Sequence, residues 1–430
     1  MKRKLTERLL QWRKQRGDRL PLLIYGARQV GKTYTVLEFG KAHYRNVLYV
    51  NFEQDARLTP YFEGDISPKR IIPVLEQYYQ TNVDPDETLI FFDEIQACER
   101  ALTALKYFAE NAPEYSVIAA GSLLGVVINR SKFSFPVGKV QMTTLHPLDF
   151  EEFLWAKGRA LLAAEIRRCC LANVPLHEQL HGEALLYYRE YLIIGGMPAA
   201  VKASLEAHPF MTELEVRRAI LNAYVADMSK YTSPAEGVKI RSAFESIPAQ
   251  LAKVNTKFQY KLIRSGGRAS LYGESIDWLI ASGVVLQCAK CEHGYMPPVA
   301  YQDLSSFKLY MSDVGLLSAQ AGITLQALAG SHLHQFRGAL TENYVAGALT
   351  MKGHDLHYWE SKSSAEVDFL IVVDGTLVPV EVKAAENTRS KSLAVYMERY
   401  KPQMAVRTSM RNFGFENGIK SVPLYGLFAL

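Results

Sequence analysis

No apolar run in the 430-residue chain approaches the ~18 residues that a membrane-crossing helix needs. The opening MKRKLTERLLQWRKQRGDR also lacks the apolar core of a secretory signal. Both absences argue against a membrane or exported protein, so the expected compartment is cytoplasmic, with no membrane partner. Cysteine is scarce: Cys98, Cys169, Cys170, Cys288 and Cys291 make an odd set of five with no framework spacing. That usage suits a reducing compartment and excludes a disulfide scaffold. Cys288-Ala-Lys-Cys291 with His293 offers half a zinc site; a structural zinc takes four ligands and no second pair exists, so these read as ordinary cysteines. Net charge is small as well, 49 Lys+Arg against 44 Asp+Glu, or +5. Residues 1–19 hold eight of those cations against Glu7 and Asp18, a surplus of six. The remainder is nearly neutral, which argues against a large DNA footprint. The basic opening has two readings: a contact for nucleic acid or phosphate, or a solvated helix packed by Leu5, Leu9 and Trp12. No repeats or low-complexity segments occur.

What is present is an ordinary globular mix, 48% hydrophobic and 22% charged, which rules out wholesale disorder. At ~150 residues per domain the length implies two to four domains. Strand-like runs at Leu20–Tyr25, Val47–Phe52, Leu89–Phe92 and Val117–Ala120 alternate with helical stretches. Strands spaced by helices predict an α/β fold with a buried parallel sheet, helices on both faces. TTLHPLDFEEFL then brings a proline turn and an amphipathic helix, and Gly195-Gly196-Met197-Pro198 is a sharp break in a mainly helical region. A helix over Ser270–Ala281, followed by paired strands at Val284–Cys288 and Phe307–Met311, predicts a winged-helix-like module. Beyond Gly338, a helix precedes strands Val367–Val373 and Leu377–Lys383, joined by the turn Asp374-Gly375. The expected domains are 1–200, 201–325 and 326–430.

Gly26-Ala27-Arg28-Gln29-Val30-Gly31-Lys32-Thr33 fits GxxxxGK[ST] between a strand and a helix. The glycines let backbone N–H groups curl around phosphates at the positive end of the next helix. Lys32 then reaches the β- and γ-phosphates of ATP, and the Thr33 hydroxyl binds Mg²⁺. Leu89–Glu94 is an apolar strand ending in two acids: Asp93 completes the Mg²⁺ shell and Glu94 polarises the attacking water. Ser122, ending the next strand in AAGSLLG, is placed to sense the γ-phosphate. Arg28, Arg130, Lys139 or a neighbouring subunit are the candidates for an arginine finger.

A second constellation lies near the C-terminus. Glu342 sits on a helix, Asp368 on one strand of the hairpin, and Glu381 and Lys383 share a face of the other because side chains alternate. Glu342, Asp368 and Glu381 are candidate ligands for a second metal, with Lys383 orienting or deprotonating a water. A solvated strand face is the competing reading. An acid, a short hairpin and then (D/E)xK is the arrangement of PD-(D/E)xK nucleases.

Taken together, the stretches GARQVGKT, LIFFDEIQ, AAGSLLG, SFPVGKV, HPLDFEEFL, IIGGMPAAV, KLYMSDVGLLSA, GALTENYVAGAL, YWESKSSAEVDFLI and VPVEVKA resemble a family of prokaryotic AAA-type ATPases with a C-terminal nuclease-like domain. The resemblance implies a P-loop ATPase core with a helical lid, a winged-helix-like middle and a restriction-endonuclease-like C-terminal fold. It also implies the same roles for Lys32, Thr33, Asp93, Glu94, Glu342, Asp368, Glu381 and Lys383. One departure is Lys139, where relatives carry arginine; lysine lacks the bidentate geometry for phosphate. The functional expectation is an ATP-hydrolysing protein whose nucleotide state controls modules directed at DNA or RNA, in a homo-oligomer. The alternative is a slow nucleotide-dependent switch or scaffold whose nuclease-like domain is inactive and binds partners.

Overall fold

Apolar runs with no polar alternation must be covered on both faces, and the first sheet follows from that. In the computed structural model, residues 1–15, 17–126, 135–206, 210–253, 256–329, 334–361, 365–384 and 391–430 are described. The chain divides into two compact units: Lys2–His146 with Ala281–Gly283, and Pro147–Ile280 with Val284–Leu430 and Met1.

The smaller unit is built on β1 (Leu22–Tyr25), β2 (Asn46–Asn51), β3 (Thr88–Asp93), β4 (Ser116–Gly121) and β5 (Gln141–Thr144). All pairings are parallel, in the order β2-β3-β4-β1-β5. Every residue of β3 and β4 is buried, which is why both read as uninterrupted apolar runs. Among the helices are α1 (Leu5–Lys14), α2 (Lys32–His43), α3 (Pro68–Tyr79) and α4 (Glu99–Asn111). Phe52, Phe62, Phe92 and Phe108 form a chain of ring contacts at 5.2, 5.9 and 6.0 Å within the core; truncating one such ring costs about 3–5 kcal/mol. Helix α1 buries Leu5, Leu9 and Trp12. The cations around it are used inside the unit: Arg3 donates to the Val30 and His146 carbonyls, Arg8 to that of Met142 and Arg19 to that of Glu114. Of the two readings of the basic opening, this packing supports the second.

In the larger unit, β6 (Val285–Cys291), β7 (Gln302–Met311), β8 (His357–Glu360), β9 (Glu366–Val373), β10 (Thr376–Val382), β11 (Ala405–Ser409), β12 (Gly414–Glu416) and β13 (Ile419–Pro423) form one mixed sheet. Their order is β12-β13-β11-β10-β9-β8-β6-β7. Strands β9 and β10 are the hairpin that Asp374-Gly375 predicts. Val373 faces Thr376, and the two turn residues have φ of +47° and +75°, as a tight hairpin turn requires.

The wing expectation is corrected. The strands anticipated as a wing do pair antiparallel, but β6 also pairs parallel with β8, so they extend the C-terminal sheet. A wing keeps a solvated face; here Phe307–Met311 are all buried. The helical stretch after residue 146 groups with the larger unit, because Phe150 packs its ring on Tyr191 and Phe428 at 5.7 and 6.3 Å. The Gly195-Gly196 break has a packing cause: a Cβ on Gly195 would lie 2.2 Å from Asp313 Oδ1, and one on Gly196 2.0 Å from the Leu148 carbonyl. Asp313 accepts from the amides of Gly196 (2.6 Å) and Leu316 (2.9 Å). Among the described residues, no helix is long and apolar enough to cross a membrane.

Candidate functional site

Strand β1 ends at Tyr25 and α2 begins at Lys32, so residues 26–31 must turn sharply between them. Gly26 and Gly31 do so at φ of +144° and +93°, with Gln29 at +66°. No side chain fits at Gly26, where a Cβ would come within 2.2 Å of the Leu145 carbonyl. The loop folds over Lys32, whose Nζ donates to the carbonyls of Gly26 and Ala27, both at 2.9 Å. Only 6% of Lys32 is exposed. Burial lowers its pKa to about 8, against the opposing pull of Glu94 and Asp93.

The adjacent strand ends supply the acids. Asp93 closes β3, is buried, and accepts from Thr33 Oγ1 (2.8 Å) and Tyr49 OH (3.0 Å) on one carboxylate oxygen. Burial raises its pKa. Glu94 follows with φ +47°. Its Oε2 accepts from Gln96 Nε2 at 2.6 Å and from Ser122 Oγ at 3.2 Å. Lys32, Thr33, Asp93, Glu94 and Ser122 are thereby brought together. Arg28 pairs with Glu53 at 3.8 Å, and Lys139 with Glu110 at 3.1 Å; Arg130 lies outside the described residues. The Thr33–Asp93 contact is a hydroxyl and a carboxylate 2.8 Å apart, a donor set that fits Mg²⁺ brought in on nucleotide phosphates. Tyr49 and Gln96 escaped the sequence reading, although Gln96 stands two residues past Glu94 in LIFFDEIQ.

The C-terminal acids converge too, around a cation that sequence reasoning missed. Lys308 of β7, only 1% exposed, reaches Glu342 at 2.9 Å and Glu366 at 2.5 Å and stands 4.9 Å from the Tyr358 ring centroid. Tyr310 donates its hydroxyl to Glu342. Asp368 accepts from the Val382 amide at 2.7 Å, and Glu381 pairs with Lys383 at 2.6 Å. Burial, then Glu342 and Glu381, push the Asp368 carboxyl well above its ordinary range. Burial opposes charge on Lys308, but Glu342, Glu366 and Asp368 outweigh it and hold the ammonium well above its usual pKa.

The expected ligands Glu342, Asp368 and Glu381 are thus near one another, with Lys308 on Glu342 and Lys383 on Glu381. Among the described residues, no group of three or more His, Cys, Asp or Glu is arranged to hold a metal. The missed signal was legible: Lys308 interrupts the apolar run Phe307–Met311, as Glu381 and Lys383 interrupt theirs. The five cysteines are buried free thiols.

Residues 18–154 match the family described as "AAA domain". The stretch is similar to AAA-type P-loop ATPases. Residues 185–327 and 337–427 match two families described as domains of unknown function, DUF8612 and DUF4143. A comparison with curated proteins gave no match. Among solved structures, the Walker-type ATPase PABY2304 of Pyrococcus abyssi is 14% identical with a TM-score of 0.45, covering 74% of this chain and 95% of its own. The ORC2 protein of Aeropyrum pernix (ADPNP–ADP complexes) is 16% identical at a TM-score of 0.35, covering 76% and 93%. AMPPCP-bound DnaA from Aquifex aeolicus is 13% identical at 0.30, covering 64% and 86%.

Proposed function

We propose that the chain binds ATP with Mg²⁺ at residues 26–33 and hydrolyses it, and that its nucleotide state controls what the larger unit engages. The carrying observation is a buried lysine whose hydrogen bonds, among the described residues, go to neutral carbonyls, beside two carboxylates from the neighbouring strand end. The amides of the glycine turn and of the α2 N-terminus cradle the phosphates, and Lys32 supplies the compensating charge. Thr33 and Asp93 would hold the Mg²⁺, which would neutralise charge on the phosphates. Glu94 takes the proton as the water oxygen attacks the γ-phosphorus; the bond to the bridging oxygen breaks and ADP leaves. Ser122 is placed to meet the γ-phosphate. A calorimetric titration with ATP and Mg²⁺, run beside a phosphate-release assay, tests this; absence of binding would end it.

For the larger unit, the buried pairing of Lys308 with Glu342 favours the second reading. It is a nuclease-like binding module, for nucleic acid or for a protein partner, rather than a centre for metal-assisted cleavage. An assay for cleavage of single- and double-stranded DNA and RNA with ATP and Mg²⁺ should show none, while capture of those polymers distinguishes the two kinds of target.

A further inference from the structure

The residue two places after Glu94 has no role in the chemistry so far. Gln96 lies in the single helical turn Ile95–Ala97, for which Glu94 is the N-cap, and is only 8% exposed. Its amide nitrogen donates to Glu94 Oε2 at 2.6 Å. Its carbonyl Oε1 is buried and has no hydrogen-bond partner. A buried polar atom left unmatched is costly, so such an atom needs a reason. The neighbouring strand has made room for it: a Cβ on Gly121 would fall 2.2 Å from this same Oε1. Gly121 of AAGSLLG leaves the space that the glutamine of LIFFDEIQ and Leu124 fill.

We propose that Gln96 is a positioning residue for ATP hydrolysis: it fixes the Glu94 carboxylate through Oε2, so that Oε1 of Glu94 remains to receive the proton of the attacking water. This rests on the ATPase reading above and deepens it. Ser122 is the second donor to the same oxygen. A γ-phosphate that draws Ser122 away leaves Gln96 as the remaining side-chain restraint on the base. Glu94 has a left-handed backbone and its carboxylate lies against Gln96 and Ser122, with the Gln96 carbonyl left unmatched. The charged and titratable groups facing Glu94 are Asp93 beside it, Lys32 from the loop and Tyr49 from β2.

The test compares four full-length proteins in steady-state ATP hydrolysis: wild type, Glu94→Gln, Gln96→Met and Gln96→Glu. Methionine keeps the length and buries the slot without a donor; glutamate puts a second carboxylate where the donor stood. Gln96→Met should lose roughly 10- to 100-fold in kcat, the scale of a misplaced catalytic group, with KM for ATP within about twofold, because no phosphate contact is touched. In Gln96→Glu the donor is lost as well, so kcat should fall at least as far as in Gln96→Met, with KM again within about twofold. A merely structural role would lower the melting temperature and would not move kcat alone. Thermal melts accompany each variant, and if Gln96→Glu does not fold, Gln96→Met decides. An inactive Glu94→Gln beside a Gln96→Met with wild-type kcat would overturn the inference alone. A Glu94→Gln as active as wild type, or a wild type without turnover, would overturn the ATPase reading and the inference with it.

Discussion

Each unit buries a lysine, and the two are handled in opposite ways. Lys32 is held by two neutral carbonyls, and its pKa is lowered to about 8. Lys308 is held by two carboxylates, and its pKa is driven up. A buried cation costs free energy unless paired. Leaving that cost largely unrelieved makes sense where an anion is to arrive, and relieving it makes sense where the cation serves the fold. The same criterion separates the carboxylates. Asp93 and Glu94 accept hydrogen bonds from hydroxyl and amide donors, whereas Glu342 and Glu381 have ammonium partners at bonding distance.

The most severe way to break the comparison is Lys32→Ala. It should weaken ATP binding by roughly 100-fold or more and abolish turnover, as loss of a preorganised phosphate donor does; calorimetry finding equal affinity would sink the assignment. Glu94→Gln sharpens it by sparing the cation. ATP should bind as in wild type while phosphate release falls roughly 100- to 10⁴-fold, and Asp93→Asn should weaken Mg²⁺-dependent binding as well.

Lys308→Met should do the reverse of Lys32→Ala. Nucleotide binding should stay unchanged, while stability falls by about 3–5 kcal/mol because Glu342 and Glu366 lose their buried partner. Urea denaturation measures this, and adding Glu342→Gln and Glu366→Gln should recover part of the loss. The mildest effect is of pH. Lys32 has a folded pKa below its unfolded value, so its burial costs stability while it is charged, and that cost lifts as pH rises from about 8 toward the unfolded value. ATP affinity should fall over the same range, because the unliganded lysine loses its proton. A titration series from neutral to alkaline pH showing flat affinity would contradict the burial of a working Lys32.

Much of the smaller unit was legible because its signals are contiguous. The loop from Gly26 to Thr33 and the acids closing β3 are short strings whose neighbours in sequence are their neighbours in space. The DG hairpin was legible for the same reason: turn chemistry fixes its register, which puts Glu381 across from Asp368 one step beyond the Val380–Phe369 pair. What failed to be legible was assembled from afar. The pairing of β6 with β8 joins residues far apart in sequence, and nothing local in Val285–Cys291 announces its second partner.

The sequence by itself determined the phosphate loop, the acid-tipped strand and the alternation that gives Glu381 and Lys383 one face, since each depends on backbone periodicity over a few residues. Only the tertiary structure decided that Lys308, from a strand at the other side of β8 and β6, would sit among Glu342 and Glu366, and that Gln96 would lie over Gly121. Sheet order decides those meetings, and sheet order is chosen by total burial and long-range pairing across the whole unit rather than by any stretch that can be read alone.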